Sequence, residues 1–194
     1  MRILTLVLLL CLTGVFTGCD KKGAGEKSGA GAPAGQPTGA SDSTNSRNYM
    51  GVTFAYPKDW VVEESTDPVG LYVRPPAKDE PWQTNVFLEV RSDPADRALA
   101  IALDDAATGV SISKSDFKLK SKSVLTHPAG FEYGRLEYTN TSSGVPLTQW
   151  ELIVPMDKGN RLYLQASSAT ETWPKYEPEF QKVIDSIRLP KPGQ

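Results

Sequence analysis

Apolar residues follow three different patterns along the chain. An uncharged, apolar run covers residues 3–16. Residues 21–47 contain no aromatic residue and no valine, isoleucine or leucine. From residue 48 to residue 190, apolar residues recur with the periods of strands and helices. We therefore expect an N-terminal apolar segment, a polar connecting segment, one folded domain over 48–190 and a short tail at 191–194.

Alternation of apolar and polar residues with a period of two predicts β-strands in the folded domain. The segments that show it are 49–56, 60–63, 71–74, 85–91, 117–125, 131–140, 145–154 and 161–167. Short turn signals separate the last three segments, which predicts an antiparallel meander. The lysine-rich segment 117–125 is expected at a sheet edge, where lysine discourages pairing with other chains.

Two segments have the apolar spacing of helices. The first covers 97–108, and Gly109 is expected to end it. The second covers 174–187, with Thr172 as its N-terminal cap. Pro178 lies inside this second pattern, so the helix begins either at the start of the segment or only at the proline. Strands with two helices, without regular βαβ alternation, indicate an α+β fold with an antiparallel sheet.

The N-terminal apolar run ends in Phe16-Thr17-Gly18-Cys19, which resembles the lipobox of bacterial lipoproteins. Its layout is that of a secretory signal peptide, and it is shorter than the roughly 20 residues of a membrane-spanning helix. The resemblance implies cleavage between Gly18 and Cys19, which removes the signal peptide 1–18, and acylation of the Cys19 thiol with fatty acids such as palmitate. Phe16 stands where the family usually has leucine. The alternatives are an ordinary signal peptide with an unmodified cysteine and an uncleaved anchor.

A lipid on Cys19 would hold the protein outside the cytoplasm on a bacterial membrane, because two or more acyl chains bind a membrane stably. Asp20 resembles the signal that retains enteric lipoproteins in the inner membrane, which favours that membrane in a Gram-negative cell and leaves the outer membrane open. The segment 19–47 is predicted to be a disordered tether with a root-mean-square reach of about 30 Å.

Charge and cysteine content narrow the classes of partner. Loss of residues 1–18 removes Arg2 alone among charged residues, which leaves 20 of the 21 basic residues against 23 acidic ones and a net charge of −3. The sequence has no basic stripe of the kind that binds nucleic acid, so nucleic acid is not an expected partner. Cys11 and Cys19 lie in the apolar run and at the lipidation position, so no disulfide is expected in the domain.

The order of elements resembles the PsbP/Mog1/DcrB-like superfamily over residues 49–190. The resemblance is carried by the sequences FAYPKDW at 54–60, PAGFEY at 128–133 and FQKVIDSIR at 180–188, although Ile187 stands where the family usually has an aromatic residue. It implies an α/β/α sandwich in which an antiparallel sheet packs between helices. Members of the superfamily bind or stabilise other proteins and include envelope lipoproteins, but no shared site motif is visible in this chain.

Residues that could support catalysis or bind a metal are few. His127 is the only histidine in the chain, so a zinc site built from histidine and cysteine cannot be assembled. His127 lies in a turn signal and is expected to be exposed to solvent. A solvated helix face is expected for the acidic residues Asp93, Asp96, Asp104 and Asp105. We therefore predict no catalytic residue, no metal and no cofactor.

Aromatic residues are better candidates for recognition, because tryptophan is enriched at interface hot spots. The candidates are Trp60, Trp82, Trp150, Trp173 and Tyr176. Among them Trp82, in the loop 81–84, is the one least expected in the core.

Lysines form a second candidate contact surface. Lys114, Lys118, Lys120 and Lys122 could touch an acidic partner or anionic headgroups, or could simply keep an edge strand soluble.

The sequence supports three functional hypotheses. The leading one is a lipid-anchored, non-enzymatic binding or accessory protein of the cell envelope that engages a protein partner near the membrane. The alternative is a carrier of a small or lipidic ligand in a cleft between sheet and helices. A hydrolase, with His127 as its only candidate base, has the least support.

Overall fold

The strand pairing in the described part of the protein is antiparallel throughout. The computed structural model describes residues 44–76, 82–93 and 97–191, all within the unit Ser41–Gln194. The elements in chain order are β1 (Thr44–Tyr49), β2 (Val52–Pro57), β3 (Val61–Thr66), β4 (Val69–Arg74), β5 (Asn85–Ser92), α1 (Leu99–Ser113), β6 (Ser115–Thr126), β7 (Glu132–Ser142), β8 (Val145–Pro155), a 3₁₀ turn (Asp157–Gly159), β9 (Asn160–Ala169) and α2 (Trp173–Asp185).

Within the described residues, seven strands form one sheet in the order β3-β4-β5-β9-β8-β7-β6, and β1 and β2 form a separate hairpin. The predicted meander is confirmed as β7, β8 and β9. After β5 the chain passes through α1 to the far edge of the sheet, and the meander then returns β9 to the side of β5. The lysine-rich strand β6 is an edge strand, as predicted, and the α+β fold class is confirmed.

The larger apolar core lies between the sheet and α2. Leu152 and Leu164 are fully buried on neighbouring strands, and they lie directly opposite each other. The helix contributes Phe180 and Trp173, and the ring of Trp173 meets that of Trp150 edge-on at 5.1 Å between centroids. Since each large apolar side chain contributes about 1.5–3 kcal/mol when it is fully buried, this face supplies most of the stability.

The folded domain begins earlier in the chain than predicted, because the β1–β2 hairpin includes residues before residue 48. The sequence predicts a tether that includes residues 44–47 and a single strand over 49–56, whereas residues 44–47 belong to β1 and pair with β2. Met50 and Gly51 make the turn with positive φ angles of 49° and 86°. No apolar alternation marks β1, because its side chains are exposed or half-buried and its pairing is made by the main chain.

The opposite face of the sheet is covered by α1, which packs mainly against β6, β7 and β8. Leu103 and Val110 of α1 are buried against Leu136 and Ile153 of the sheet. Gly134 on β7 permits this close approach, because a Cβ atom there would lie 2.7 Å from side-chain atoms of Leu103. The helix α1 therefore covers one side of this face and does not cover the region over β4, β5 and β9.

Both helices differ from the predictions at their ends. The prediction that Gly109 ends α1 is wrong, since the helix continues to Ser113 and a Cβ atom at Gly109 would meet nothing within 4 Å. The helix α2 begins before Pro178, whose missing N–H removes only one helical hydrogen bond at this position. Thr172 occupies the N-cap position, but its side chain makes no capping hydrogen bond, and its hydroxyl donates to the carbonyl oxygen of Ala169 at 3.2 Å.

Candidate ligand-binding groove

Polar side chains occupy the part of the α1-side face that the helix leaves uncovered in the described structure. Gln149 on β8 alternates with the buried core residues of that strand, so it points to the α1 side of the sheet, as Ile153 does. The strand register places Ser167 of β9 between Gln149 and Asn85 of β5. Amide and hydroxyl groups thus form a continuous polar row across the three central strands.

A cavity of about 160 Å³ lies above this row, beside Trp82 and the residue that follows α1, Lys114. We call this cavity the polar groove and define it by Trp82, Asn85, Asn140, Gln149, Gln165 and Ser167. Its volume is many times the roughly 10–15 Å³ that one water molecule needs.

Several groove side chains are held in place by hydrogen bonds that use only part of their capacity. The Nε2 group of Gln149 donates to the hydroxyl of Ser167 at 2.8 Å. The Nε2 group of Gln165 donates to the phenol oxygen of Tyr138 at 3.1 Å. Asn85 donates through Nδ2 to the carbonyl oxygen of Gln83 at 2.8 Å. These bonds fix the positions of the amides and leave further donors and acceptors for a ligand.

Four buried polar atoms of the groove have no hydrogen-bond partner among the described residues. They are Nε1 of Trp82, Nδ2 and Oδ1 of Asn140, and Oε1 of Gln149. Asn140 and Gln149 are each only 3% exposed. Because an unpaired buried polar group costs about 1–3 kcal/mol, a concentration of such atoms in one cavity needs an explanation.

Aromatic residues form the wall between the groove and two neighbouring cavities. Tyr72 lines all three spaces, and the two neighbours measure about 350 and 220 Å³. The ring of Tyr72 packs on that of Phe87, with 4.6 Å between centroids. Phe87 in turn lies over Gly70, where a Cβ atom would overlap the ring. The glycine therefore sets the position of both aromatic rings.

Charged groups gather at the far side of Tyr72 in the cavity of about 220 Å³. Burial raises the pKa of the Glu151 carboxyl, and the nearby charges of Arg91 and Lys114 offset this rise only in part. Glu89 adds to the rise, although its own carboxylate is paired with Arg91. This end of the surface therefore combines both signs of charge with a carboxyl group that resists ionisation.

The sequence predicts that Asp93 lies on a solvated helix face, and this prediction is wrong. Asp93 is only 7% exposed and lies beside β9. It accepts a hydrogen bond from the hydroxyl of Tyr163 at 2.9 Å and forms ion pairs with Arg97 and Arg161. Burial alone would raise the pKa of Asp93, but these partners together bring it below its usual value. We interpret this cluster as a structural anchor for the start of α1. Asp104 and Asp105 are exposed, and Asp96 lies outside the described residues.

The tryptophans divide between the core and the groove. Trp82 is half-buried and lines the groove, as expected of the tryptophan least suited to the core. The core of the α2 face contains the other aromatic candidates, Trp60, Trp150, Trp173 and Tyr176.

The lysines of β6 are not brought together with Trp82. Lys118, Lys120 and Lys122 are exposed on the edge strand, where Lys120 pairs with Glu137 at 3.4 Å and Lys122 with Asp104. Lys114, at the start of this basic series, does line the groove.

The prediction that His127 is exposed is wrong, since it is 2% exposed and stacks on Phe131 with 4.1 Å between ring centroids. Its Nδ1 accepts a hydrogen bond from the N–H of Ala129 at 3.0 Å, and its Nε2–H donates to the carbonyl oxygen of Ile184 at 2.8 Å. Both ring nitrogens are thus engaged, and the residue ties the β6–β7 turn to α2. This geometry gives it no access to a substrate.

The proposed processing residues Gly18 and Cys19 lie outside the described residues. Neither of the described helices has the length and apolar character needed to cross a bilayer. In the same part of the chain, no group of three or more histidine, cysteine, aspartate or glutamate residues is placed to hold a metal ion.

Comparison with known proteins identifies the fold. No protein-family model matches the sequence, and no curated protein matches it. Among solved structures, the cyanobacterial PsbP protein CyanoP from Synechocystis sp. PCC 6803 is similar, with a TM-score of 0.59 and 18% identity over 80% of this chain and 98% of that one. LpqN from Mycobacterium tuberculosis, described as involved in cell envelope biogenesis, gives a TM-score of 0.56 and 17% identity over 78% of this chain and 88% of LpqN. PA94 from Pseudomonas aeruginosa, described as of unknown function, gives a TM-score of 0.56 and 14% identity over 77% and 98%. The chain therefore has a PsbP-like fold.

Proposed function

We propose that this protein is a lipid-anchored, non-enzymatic accessory protein of the bacterial cell envelope, and that it binds another envelope component through the polar groove. The observation that carries the proposal is the group of unpartnered polar atoms on Trp82, Asn140 and Gln149. Folded proteins keep very few such atoms, and binding sites are where local rules are broken for function.

The envelope location rests on the N-terminal sequence. The signal-like residues 1–18 and the following Cys19 support export and lipid attachment. LpqN, whose description places it in cell envelope biogenesis, has the same fold, which supports an envelope role for this architecture. A tether of the predicted length would let the domain search the space near the membrane.

A binding role fits the chemistry better than catalysis does. The only histidine is buried with both ring nitrogens engaged, which removes the candidate base of a hydrolase. Of the four glutamates that line the two neighbouring cavities, Glu63, Glu64 and Glu89 each form an ion pair with an arginine. Hydrogen-bonding amides and an aromatic side chain, the main components of the groove, recognise ligands without reacting with them.

A role as carrier of a small polar ligand is favoured over a role as carrier of a lipid. Apolar side chains fill the described interfaces between the sheet and both helices, and the groove lies beside α1 with a polar lining. A lipid chain would require an apolar cavity.

A protein partner is the second candidate, and a different surface supports it. Ile101 and Ile112 of α1 are 53% and 82% exposed, and Leu119 and Val124 of β6 are 44% and 43% exposed. Exposed apolar side chains beside the lysines of β6 would suit an acidic partner protein.

Site-specific photo-crosslinking in intact cells tests the proposed function. A photoreactive residue replaces Trp82 in the groove, and a matched one replaces Lys118, which is exposed on β6. We expect an adduct from position 82, reduced when Asn140→Leu is added and reduced when Cys19→Ser removes the anchor. Adducts from position 118 alone, or a position-82 adduct that Asn140→Leu leaves unchanged, would overturn the assignment of the groove.

A further inference from the structure

We propose that the polar groove recognises a neutral sugar residue through two hydroxyl groups on neighbouring carbon atoms, with Asn140 as the central recognition residue. This inference rests on the proposed function, because it names the class of ligand for the same groove.

The side chain of Asn140 specifies the hydrogen-bonding pattern. Its Nδ2 donor and Oδ1 acceptor are both unpartnered among the described residues, and they lie side by side in one planar amide. A ligand that satisfies both must present an acceptor and a donor at adjacent positions. Two hydroxyl groups on neighbouring carbons do this, since one hydroxyl accepts from Nδ2 while the other donates to Oδ1. Sugar rings carry such pairs.

The other unpartnered atoms extend the same pattern. Nε1 of Trp82 donates and Oε1 of Gln149 accepts, so the groove offers a mixture of donors and acceptors. The result does not depend on the orientation of the Gln149 amide, because the hydroxyl of Ser167 can donate or accept and either amide atom can be the unpartnered one. Hydroxyl groups, which both donate and accept, match such a mixture.

The lining favours an uncharged ligand. Among the described residues around the groove, Lys114 is the only charged one, and it is exposed at the rim. A phosphate or carboxylate is normally bound by several N–H donors or cations together. The unpartnered Oδ1 acceptor of Asn140 would instead repel an anion.

Aromatic surface beside the amides suits the carbon face of a sugar ring. Trp82 is half-buried at the groove, so its ring remains available for contact. Tyr72 provides a second wall, fixed by its packing on Phe87. Aromatic rings combine apolar contact area with little conformational freedom to lose on binding.

The surrounding surface has room for more than one sugar residue. Tyr72, Trp82 and Asn85 line both the groove and the neighbouring cavity of about 350 Å³. A second residue of a glycan chain would lie over this cavity, which also contains Glu63 and Arg74. The same chemistry is available from a free sugar and from an envelope glycan, so both sources enter the test.

The test is binding to detergent-solubilised full-length protein, followed by saturation-transfer NMR and titration calorimetry. The probes are glucose, galactose and mannose as free sugars, dextran as a glycan, and inorganic phosphate as an anion. We expect saturation transfer from the protein to one of the hexoses or to dextran, and none to phosphate. Binding by dextran alone would identify a glycan chain as the source.

Three variants connect binding to the groove. Asn140→Leu keeps the branching of the side chain but removes both polar atoms, and we expect the Kd to rise about tenfold or more. Trp82→Phe removes the Nε1 donor and should weaken binding less. Asn45→Leu, a matched change on β1 outside the groove, should leave the Kd unchanged.

The outcomes separate this inference from the proposed function. Equal sugar binding by the wild type and Asn140→Leu, a preference for phosphate, or no binding of any sugar probe would overturn the sugar assignment. If position 82 still gives an Asn140-dependent crosslink in cells, the groove remains a binding site for another class of ligand. If that crosslink is absent as well, both proposals fail.

Discussion

Replacing Asn140 by leucine is expected to stabilise the protein while it removes ligand binding. Asn140 is 3% exposed, and both polar atoms of its amide lack a partner among the described residues. An unpaired buried polar group costs about 1–3 kcal/mol, whereas an apolar group of the same shape carries no such cost. Leucine has the same branching and the same number of side-chain heavy atoms as asparagine.

The size of the effect follows from these terms. Some of the gain from removing the amide is lost because methyl groups are larger than the atoms they replace, so we expect a net increase of about 1–2 kcal/mol in the free energy of unfolding. For a domain of this size, each kcal/mol raises the melting temperature by roughly 2–4 °C. The variant should therefore melt about 2–8 °C above the wild type.

The matched variant Asn85→Leu makes the same chemical change at a groove asparagine whose amide is paired. Its Nδ2 donates to the carbonyl oxygen of Gln83 at 2.8 Å, so leucine there should cost about 0.5–1.5 kcal/mol. Thermal and urea unfolding of full-length protein in detergent measure both variants. If Asn140→Leu lowers stability as much as Asn85→Leu does, the amide of Asn140 is satisfied in the folded protein, and the reasoning about the groove is refuted.

Further expected outcomes test the packing, the charges and the anchor. Gly134→Ala should lower the free energy of unfolding by about 1–3 kcal/mol, because its Cβ atom would lie 2.7 Å from the side chain of Leu103. Gly109→Ala should not lower it, because a Cβ atom there would meet nothing within 4 Å. Urea unfolding measures both variants. Burial raises the pKa of Glu151, so ionisation of this carboxyl group opposes folding. Glu151→Gln should therefore be more stable than the wild type at pH 7, and the difference should vanish below the ordinary pKa of about 4.5. Unfolding measured across a pH series tests this. Asp93→Asn should show the opposite sign, with a loss at neutral pH that disappears as the pH falls through the lowered pKa of Asp93. Cys19→Ser should abolish incorporation of labelled fatty acid and release the protein from the membrane fraction; retention of both would contradict the lipoprotein interpretation.

The strands of the meander could be predicted because apolar residues alternate along them, as β9 shows most clearly. Leu162, Leu164 and Ala166 alternate along β9, and all three are fully buried. This alternation is a local property of the sequence, so it can be recognised without knowledge of the partner strands. The apolar stripe of α2 is a local signal of the same kind, and it predicts the closing helix.

Features that depend on distant residues could not be predicted. His127 has the local sequence of an exposed turn, yet it is buried because it bonds to Ile184, 57 residues later in the chain. The strand β1 has a polar sequence and exists because β2 offers a main-chain partner. Gly109 has the sequence of a helix end, but the packing of Val110 on the sheet carries the helix past it.

The groove left a signal in the sequence that the apolar pattern alone does not reveal. Gln149 and Glu151 alternate with apolar residues on β8, as Gln165 and Ser167 do on β9. In an isolated hairpin this pattern indicates a solvated face, but these two strands lie at the centre of a sheet with a helix on each side. Polar residues on the α1 side of the central strands therefore indicate the part of the sheet that α1 does not cover.

The two faces of the central strands are under different physical constraints. On the α2 face, any change of volume disturbs a core that includes Trp150 and Phe180. On the groove face, both polar atoms of the Asn140 amide lack a partner among the described residues, so its replacement by leucine is expected to favour folding. Selection for folding alone would remove such residues from the groove. The binding role proposed for the groove accounts for their presence in this chain.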